Sequence, residues 1–283
     1  MPKLNTANPE VQDYLLEIAK YWIEQFDIDA WRLDVANEID HHFWKKFYQE
    51  THKLKPNFYV VGEVWHSAQS WLDQAEFDGV MNYPFTDAII DGIILNKINI
   101  TNMMDALINN LMKYRDQNNQ VMLNSLDTHD TARILTLAKG DKNKVRQALA
   151  FMFMLTGSPC IYYGDEVGVE GDADPDNRRF FPWGQEKSSR IIQEVKKLID
   201  RRKKNILLQE GRLGFVIARG SHCPALAIVR YDDQGNSVYN WLNLTQYKQI
   251  ISPENCEYLC LPQNIQQKFQ HELTLDSWEY KVI

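Results

Sequence analysis

Short apolar runs bounded by turn residues alternate five times with longer segments of helical period, and this alternation constrains the chain more than any other feature. In the first helical segment, NPEVQDYLLEIAKYWIEQF, Asn8 suits a cap and Pro9 the first turn, while Val11, Leu15, Ile18 and Trp22 recur at helical spacing. The run IDAWRLDV follows as a strand. A second helix is expected from near Asn37 through Phe43, Trp44, Phe47 and Tyr48 to Lys55, where Pro56 disfavours helical geometry before it. The pattern then repeats as FYVVGEV, as DGVMNY with a long helical region from about Ala88 to Arg115, as VMLNSLD with a helix around Lys144 to Leu155, and as CIYYGDE. Strands that alternate with helices pair in parallel, so this part reads as an α/β domain. The charged helix SSRIIQEVKKLIDRRKKN closes it. Beyond about Leu207 the texture changes to alternating segments such as FVIARG, ALAIVRY and SVYNWLNL separated by Gly, Asn and Asp turns, which predicts a small antiparallel β domain. The expected division is therefore residues 1–206 and residues 207–283.

Composition narrows the partners. With 44% hydrophobic residues among 283, the chain has material for one large core and one small one. A net charge of -7 without a concentrated Lys/Arg run removes the attraction that a phosphate backbone requires, so no nucleic acid partner is expected. The longest apolar stretch, Ala148 to Leu155, ends at Thr156 and Gly157 and falls well short of the roughly 20 residues that span a bilayer, so no membrane association is expected. Cys160, Cys223, Cys256 and Cys260 lie without a CxxC or Cys/His pattern, which favours free thiols over a disulfide frame or a zinc site. The beginning of the chain has neither a basic n-region nor an apolar h-region, and a cytoplasmic location is expected.

Three carboxylates carry the chemistry. In the first strand, residues two apart share a face, so Ala30, Arg32 and Asp34 point one way and Trp31 and Leu33 the other. An Arg and an Asp facing inward at the carboxyl end of a parallel strand fit a site better than a core, because reactive groups collect at that edge; a purely structural ion pair is the competing explanation. Glu63 ends the second strand, and Asp130 follows the strand that ends in Leu126-Asp127. Crowded carboxylates suit glycosidic bond cleavage, in which one attacks the anomeric carbon and another donates a proton, or binding of a divalent metal. Arg32 favours the first. Its fixed charge repels a cation but supports the ionised carboxylate that a nucleophile needs. His129 beside Asp130 offers hydrogen bonds to sugar hydroxyls. Trp65, Tyr83, Phe85 and Trp183 are candidate platforms for glucose rings, although aromatics make up 12% of the chain and most must fill the core.

The segments WRLDVANE, GEVWH, THDTAR, IYYGDEVGVEG and DPDNRRFFPW resemble, in order and spacing, those of the α-amylase family of glycoside hydrolases, and more narrowly its neopullulanase, cyclomaltodextrinase and maltogenic amylase branch. The VANE ending points to that branch. The resemblance implies a (β/α)8 TIM barrel, with Asp34 as nucleophile, Arg32 as its orienting partner, Glu63 as general acid/base and Asp130 as stabiliser of the distorted sugar. It further implies that His129 binds the sugar in subsite −1, that Asp174 and Arg178 hold glucose toward the non-reducing end, and that Asn37, Glu38 and Trp65 lie near the leaving-group subsites. A loop salt bridge would account for Asp174 and Arg178 otherwise, and favouring a helix N-terminus would account for Glu38.

Only strands four to eight of that barrel are recognisable, so the fold expected is an incomplete (β/α)8 barrel, its last five β/α units, followed by a small antiparallel β-sandwich domain. The first three strands, the domain inserted after the third and the N-terminal module of the branch have no counterpart here. Open strand edges predict association, with a missing N-terminal half or with another copy. The substrates implied are α-1,4-linked glucans: cyclodextrins, pullulan or maltodextrins, with transglycosylation as a variant of hydrolysis. A non-catalytic carbohydrate-binding or scaffold remnant is the alternative. The family allows calcium, but its usual ligands fall partly in the unmatched portion, and no tightly bound metal or other cofactor is expected.

Overall fold

In the computed structural model, residues 3–184, 189–219 and 225–283 are described. The chain divides into two compact units, Met1–Pro84 with Leu111–Leu123 and Phe85–Asn110 with Asn124–Ile283.

The first unit is built on a parallel sheet of β1 (Ala30–Leu33), β2 (Tyr59–Gly62) and β3 (Gly79–Val80), in that order. Its register pairs Arg32 with Val61 and Leu33 with Gly62. The helix Pro9–Phe26 begins where expected, with Glu10 N donating to Asn8 Oδ1 at 2.8 Å. Its buried face is Gln12, Leu16, Ala19 and Ile23, one residue on from the expected stripe. The sequence carries apolar doublets at 15–16, 18–19 and 22–23, so two adjacent stripes exist and the sheet takes one. Tyr14, Tyr21, Trp22 and Phe26 are left exposed, with the Trp22 and Phe26 rings 5.0 Å apart. The second helix starts later than expected: a 3-10 turn, Ala36–Glu38, precedes His41–Leu54, whose cap is Asp40. Phe43, Trp44 and Phe47 pack from it onto Phe77 and the sheet core. Gly79 is required by close approach, since a Cβ there would stand 2.6 Å from the Val121 carbonyl.

The long helical region expected from Ala88 to Arg115 is interrupted. A helix Tyr83–Ile89 passes into a π turn at Ile90–Ile94, and a new helix runs over Ile100–Met112. Asn96 in the left-handed region (φ 52°) breaks the first, and Asn99 Oδ1, accepting from Asn102 N at 2.8 Å, starts the second. β4 (Leu123–Asn124) pairs with β5 (Ser158–Pro159), so the last short strand lies ahead of CIYYGDE. Cys160 N still donates to Asn124 O at 2.7 Å, after which Gly164 (φ 96°) and a 3-10 turn at Asp165–Val167 bend the chain away.

Within the second unit, β6 (Arg212–Ala218), β7 (Ala225–Tyr231), β8 (Ser237–Leu242), β10 (Cys256–Leu259) and β12 (Tyr280–Val282) form an antiparallel sheet in the order β10-β6-β7-β8-β12. A second layer, β9 (Gln249–Ile251) with β11 (Leu273–Leu275), shares its core: Ile251 and Leu275 cluster with Val216, Trp241 and Phe269. Arg230 is fully buried at the junction with the last helices of the α/β part. Its guanidinium donates to the carbonyls of Leu155 (2.9 Å), Met154 (3.2 Å) and Leu208 (3.0 Å), and to Gly211 O at 2.6 Å. Those carbonyls lie at the carboxyl ends of Lys142–Met154 and Ile206–Glu210, where helices leave acceptors unsatisfied and favour positive charge.

Among the described residues no helix is long and apolar enough to cross a membrane. Cys160, Cys256 and Cys260 are free thiols, and Cys223 lies outside the described residues. Replacing Arg230 with Met should lower the unfolding free energy by on the order of 3 kcal/mol, because buried carbonyls lose their donor. Urea denaturation of the two proteins at equal concentration measures it.

Candidate active site

The ladder between β1 and β2 continues past both strands into the carboxylate-bearing segments. Glu63 N donates to Leu33 O at 2.9 Å and Ala36 N to Glu63 O at 3.1 Å, so Asp34 and Glu63 are held in fixed register at the carboxyl ends of paired parallel strands. Between them Val35 takes the left-handed conformation, φ 45°. Branched residues rarely adopt it, and the effect is to turn the Val35 amide onto Glu63 Oε2 at 2.9 Å. Trp44, donating from Nε1 to Ala36 O at 2.8 Å, braces the turn from below.

Arg32 engages both carboxylates. Its Nη1 donates to Asp34 Oδ1, and its Nη2 stands 2.7 Å from Glu63 Oε1 as an ion pair outside hydrogen-bond alignment. The two acids differ in surroundings, since the Asp34 side chain is 72% exposed and that of Glu63 4%. One guanidinium spanning two carboxylates keeps them within a few ångströms of each other, the range compatible with the roughly 5–5.5 Å separation of retaining glycosidases.

Other predicted residues take definite places in this unit. Trp65 is half exposed and stacks on Tyr83, with centroids 4.3 Å apart and planes 11° from parallel. Tyr83 is itself buried and cannot serve as an open platform, nor can the buried Phe85 of the second unit, whereas Trp183, also in the second unit, is exposed. Asn37 and Glu38 sit on the 3-10 turn after Asp34. Glu38 does not cap the following helix; it accepts from Lys3 Nζ at 2.6 Å, a hydrogen bond that holds its carboxyl below the usual range.

In the second unit, His129, Asp130, Asp174 and Arg178 are brought together. His129 and Asp130 occupy a turn closed by Thr128 N donating to Thr131 Oγ1 at 2.9 Å, with His129 Nε2 3.2 Å from Asp130 Oδ2. Arg178 donates from Nε to His129 O at 3.0 Å, reaches Asp130 Oδ1 at 3.4 Å and pairs with Asp174 Oδ1 at 2.9 Å. A fully buried Asn177 holds the turn from beneath, its Nδ2 donating to His129 O at 2.8 Å and Thr131 O at 2.7 Å. Among the described residues no group of three or more His, Cys, Asp or Glu side chains is arranged to hold a metal ion.

A family model described as alpha amylase, catalytic domain, matches residues 1–210. The chain belongs to the α-amylase family. An intracellular maltogenic amylase of Bacillus subtilis is 53% identical over 215 residues, covering 75% of this chain and 37% of that protein. A cyclomaltodextrinase of Thermoanaerobacter pseudethanolicus is 46% identical over 257 residues, 89% of this chain and 43% of that one. Among solved structures, the cyclic α-maltosyl-(1→6)-maltose hydrolase of Arthrobacter globiformis in complex with maltose superposes with a TM-score of 0.89 at 30% identity, covering 100% of this chain and 62% of the other. The chain thus spans less than half the length of these two amylase relatives, 37% and 43%. The fold is that of the family: the last five β/α units of a (β/α)8 barrel followed by a small antiparallel β-sandwich.

Two supports of the candidate residues, one in each unit, had no usable signal in the sequence. The Val35 amide acts through a backbone conformation that its side chain disfavours, and Asn177 lies inside DPDNRR between more conspicuous charges. Removing Arg32 by substitution with Met should cost about 2 kcal/mol, since buried Glu63 loses its counter-charge, and adding Glu63→Gln should recover most of the loss. A double-mutant cycle in urea tests the coupling.

Proposed function

We propose that this chain carries the catalytic part of a retaining α-glucan hydrolase acting on α-1,4-glucosidic bonds of cyclodextrins, pullulan or maltodextrins, with residues 1–206 as the catalytic portion and 207–283 as the appended β domain. One observation carries the reading: Arg32 binds Asp34 and Glu63 at once, at the carboxyl ends of two paired parallel strands. The names of the relatives, a maltogenic amylase, a cyclomaltodextrinase and a cyclic α-maltosyl-(1→6)-maltose hydrolase, support the substrate class.

In this reading Asp34, open to solvent and held by Arg32, attacks the anomeric carbon. Glu63, taking up a proton from solvent as the substrate displaces Arg32 from Oε1, passes that proton to the departing oxygen, while the Val35 amide keeps Oε2 in place. A covalent glycosyl-enzyme results; Glu63 then draws a proton from water, or from a sugar hydroxyl in transglycosylation, and the ester breaks. Asp130 is assigned as the third carboxylate and His129 as a sugar ligand. Asp174 and Arg178 are assigned to glucose toward the non-reducing end, and Asn37, Glu38 and Trp65 to the leaving-group side. No metal enters the scheme, and the assigned compartment is the cytoplasm, in keeping with the intracellular relative.

Glu63→Gln should lower the turnover of maltodextrin by about 10²–10⁴-fold while binding of maltotriose persists, and EDTA should leave the parent rate unchanged. Rates followed by reducing-sugar release test both; near-normal turnover in the variant removes the acid/base assignment. Binding by the unsubstituted chain without any turnover would favour the non-catalytic carbohydrate-binding reading.

We further propose that the chain associates, with a polypeptide supplying further β/α units or with a second copy. Among the described residues β1 pairs with β2 alone, and the neighbouring helix Pro9–Phe26 exposes Tyr14, Tyr21, Trp22 and Phe26. In isolation at micromolar concentration, sedimentation velocity should find species heavier than the monomer. A stable monomer with no affinity for an apolar dye counts against the proposal.

A further inference from the structure

Beneath the turn that carries His129 and Asp130 lie three ionisable groups that the proposed mechanism does not use. Asp127 and Asp165 are 2% and 3% exposed, and Arg133 is fully buried beside them. Asp127 Oδ2 accepts from Ile134 N at 2.7 Å, and Arg133 Nη1 lies 3.4 Å from Asp165 Oδ1. Asp127 and Asp165 share a side-chain hydrogen bond, yet Asp127 Oδ1 has no N–H donor. Two carboxyl groups can bond in this way when one of them carries a proton. The connection onward is continuous: Arg133 Nε donates to Asn177 O at 2.7 Å, and Asn177 Nδ2 donates to His129 O and Thr131 O.

We propose that Asp127 and Asp165 hold one proton between them and, through Arg133 and Asn177, act as positioning residues for the turn bearing His129 and Asp130, so that loss of the proton releases that turn. The importance of the turn rests on the reading of His129 and Asp130 as substrate-contacting groups; the proton-sharing network is independent of it.

The charges around the pair argue for one proton. Burial raises both carboxyls, and the charge of Asp127 pushes Asp165 further, well above the ordinary range. Arg133 is the cation facing them, with its guanidinium carbon 3.9 Å from the Tyr162 ring centroid and 4.6 Å from that of Tyr163. Burial raises Tyr162 to about 12. Glu166 is engaged by its own turn, accepting from Gly164 N at 2.7 Å, and Arg178 acts on Tyr162 from the outer side. When the pair gives its proton to solvent hydroxide, two buried negative charges face one guanidinium and repel each other. Because the folded chain holds this proton more tightly than the unfolded one, the stability it contributes is complete below about pH 4 and is lost as pH rises through the folded value.

The test is NMR of the full chain between about pH 4 and 9, with assigned Asp carboxyl carbons and backbone amides. The expected result is one transition shared by the Asp127 and Asp165 carboxyls and the amides of His129, Asp130 and Asn177, and its loss in Asp165→Asn, whose amide donates permanently. Asp127→Asn provides the same test should the first variant not fold. Separate titration of the two carboxyls in the ordinary range, or amides that stay still through the transition, overturns the proposal. None of these readings needs turnover, so failure of the hydrolase assignment and failure of the proton-sharing pair are distinguishable.

Discussion

The guanidinium of Arg32 is the interaction on which the first unit's chemistry depends. Two carboxylates at the ends of neighbouring strands repel each other, and a nearly buried one such as Glu63 is costly to keep without a counter-charge. A single Arg counters both charges because its fork presents two nitrogens in one plane, which a lysine could not do. The β1–β2 register then fixes where that fork points, so a short parallel ladder becomes a device for setting the spacing of two acids.

The second unit solves a related problem with backbone acceptors. His129 and Asp130 sit on a turn whose outward carbonyls would be poorly satisfied, and Asn177 and Arg178 supply the donors from one short segment. The expected alternatives for Asp174 and Arg178, sugar contact or loop salt bridge, are compatible in the resting protein: the two pair with each other while Arg178 also reaches Asp130.

Much of this was legible in the sequence because the strands are short and their ends are marked by charge. Asp34 and Glu63 stand out from the apolar runs AWRL and YVVG, and family segments in order added the rest of the candidate residues. Where reading failed, the deciding term was tertiary. Apolar doublets in Pro9–Phe26 offer two faces, and composition cannot say which one the sheet will cover. Asn96 breaks a helix that periodicity would carry through, and Tyr83 and Phe85 are aromatics drawn into the core rather than toward a ligand. The left-handed turn at Val35 was hidden because local preference opposes it and surrounding hydrogen bonds enforce it.

Arg230 lends the β-sandwich a role beyond its own core. A side chain rooted in β7 closes the carboxyl ends of two helices in the preceding part, so the sheet works as a stopper for them. A recombination event that exchanged this module for another would uncork those helices unless the newcomer brought an equivalent cation to the same spot. The junction therefore ought to be inherited together with the last β/α unit, as one block rather than as a detachable cassette.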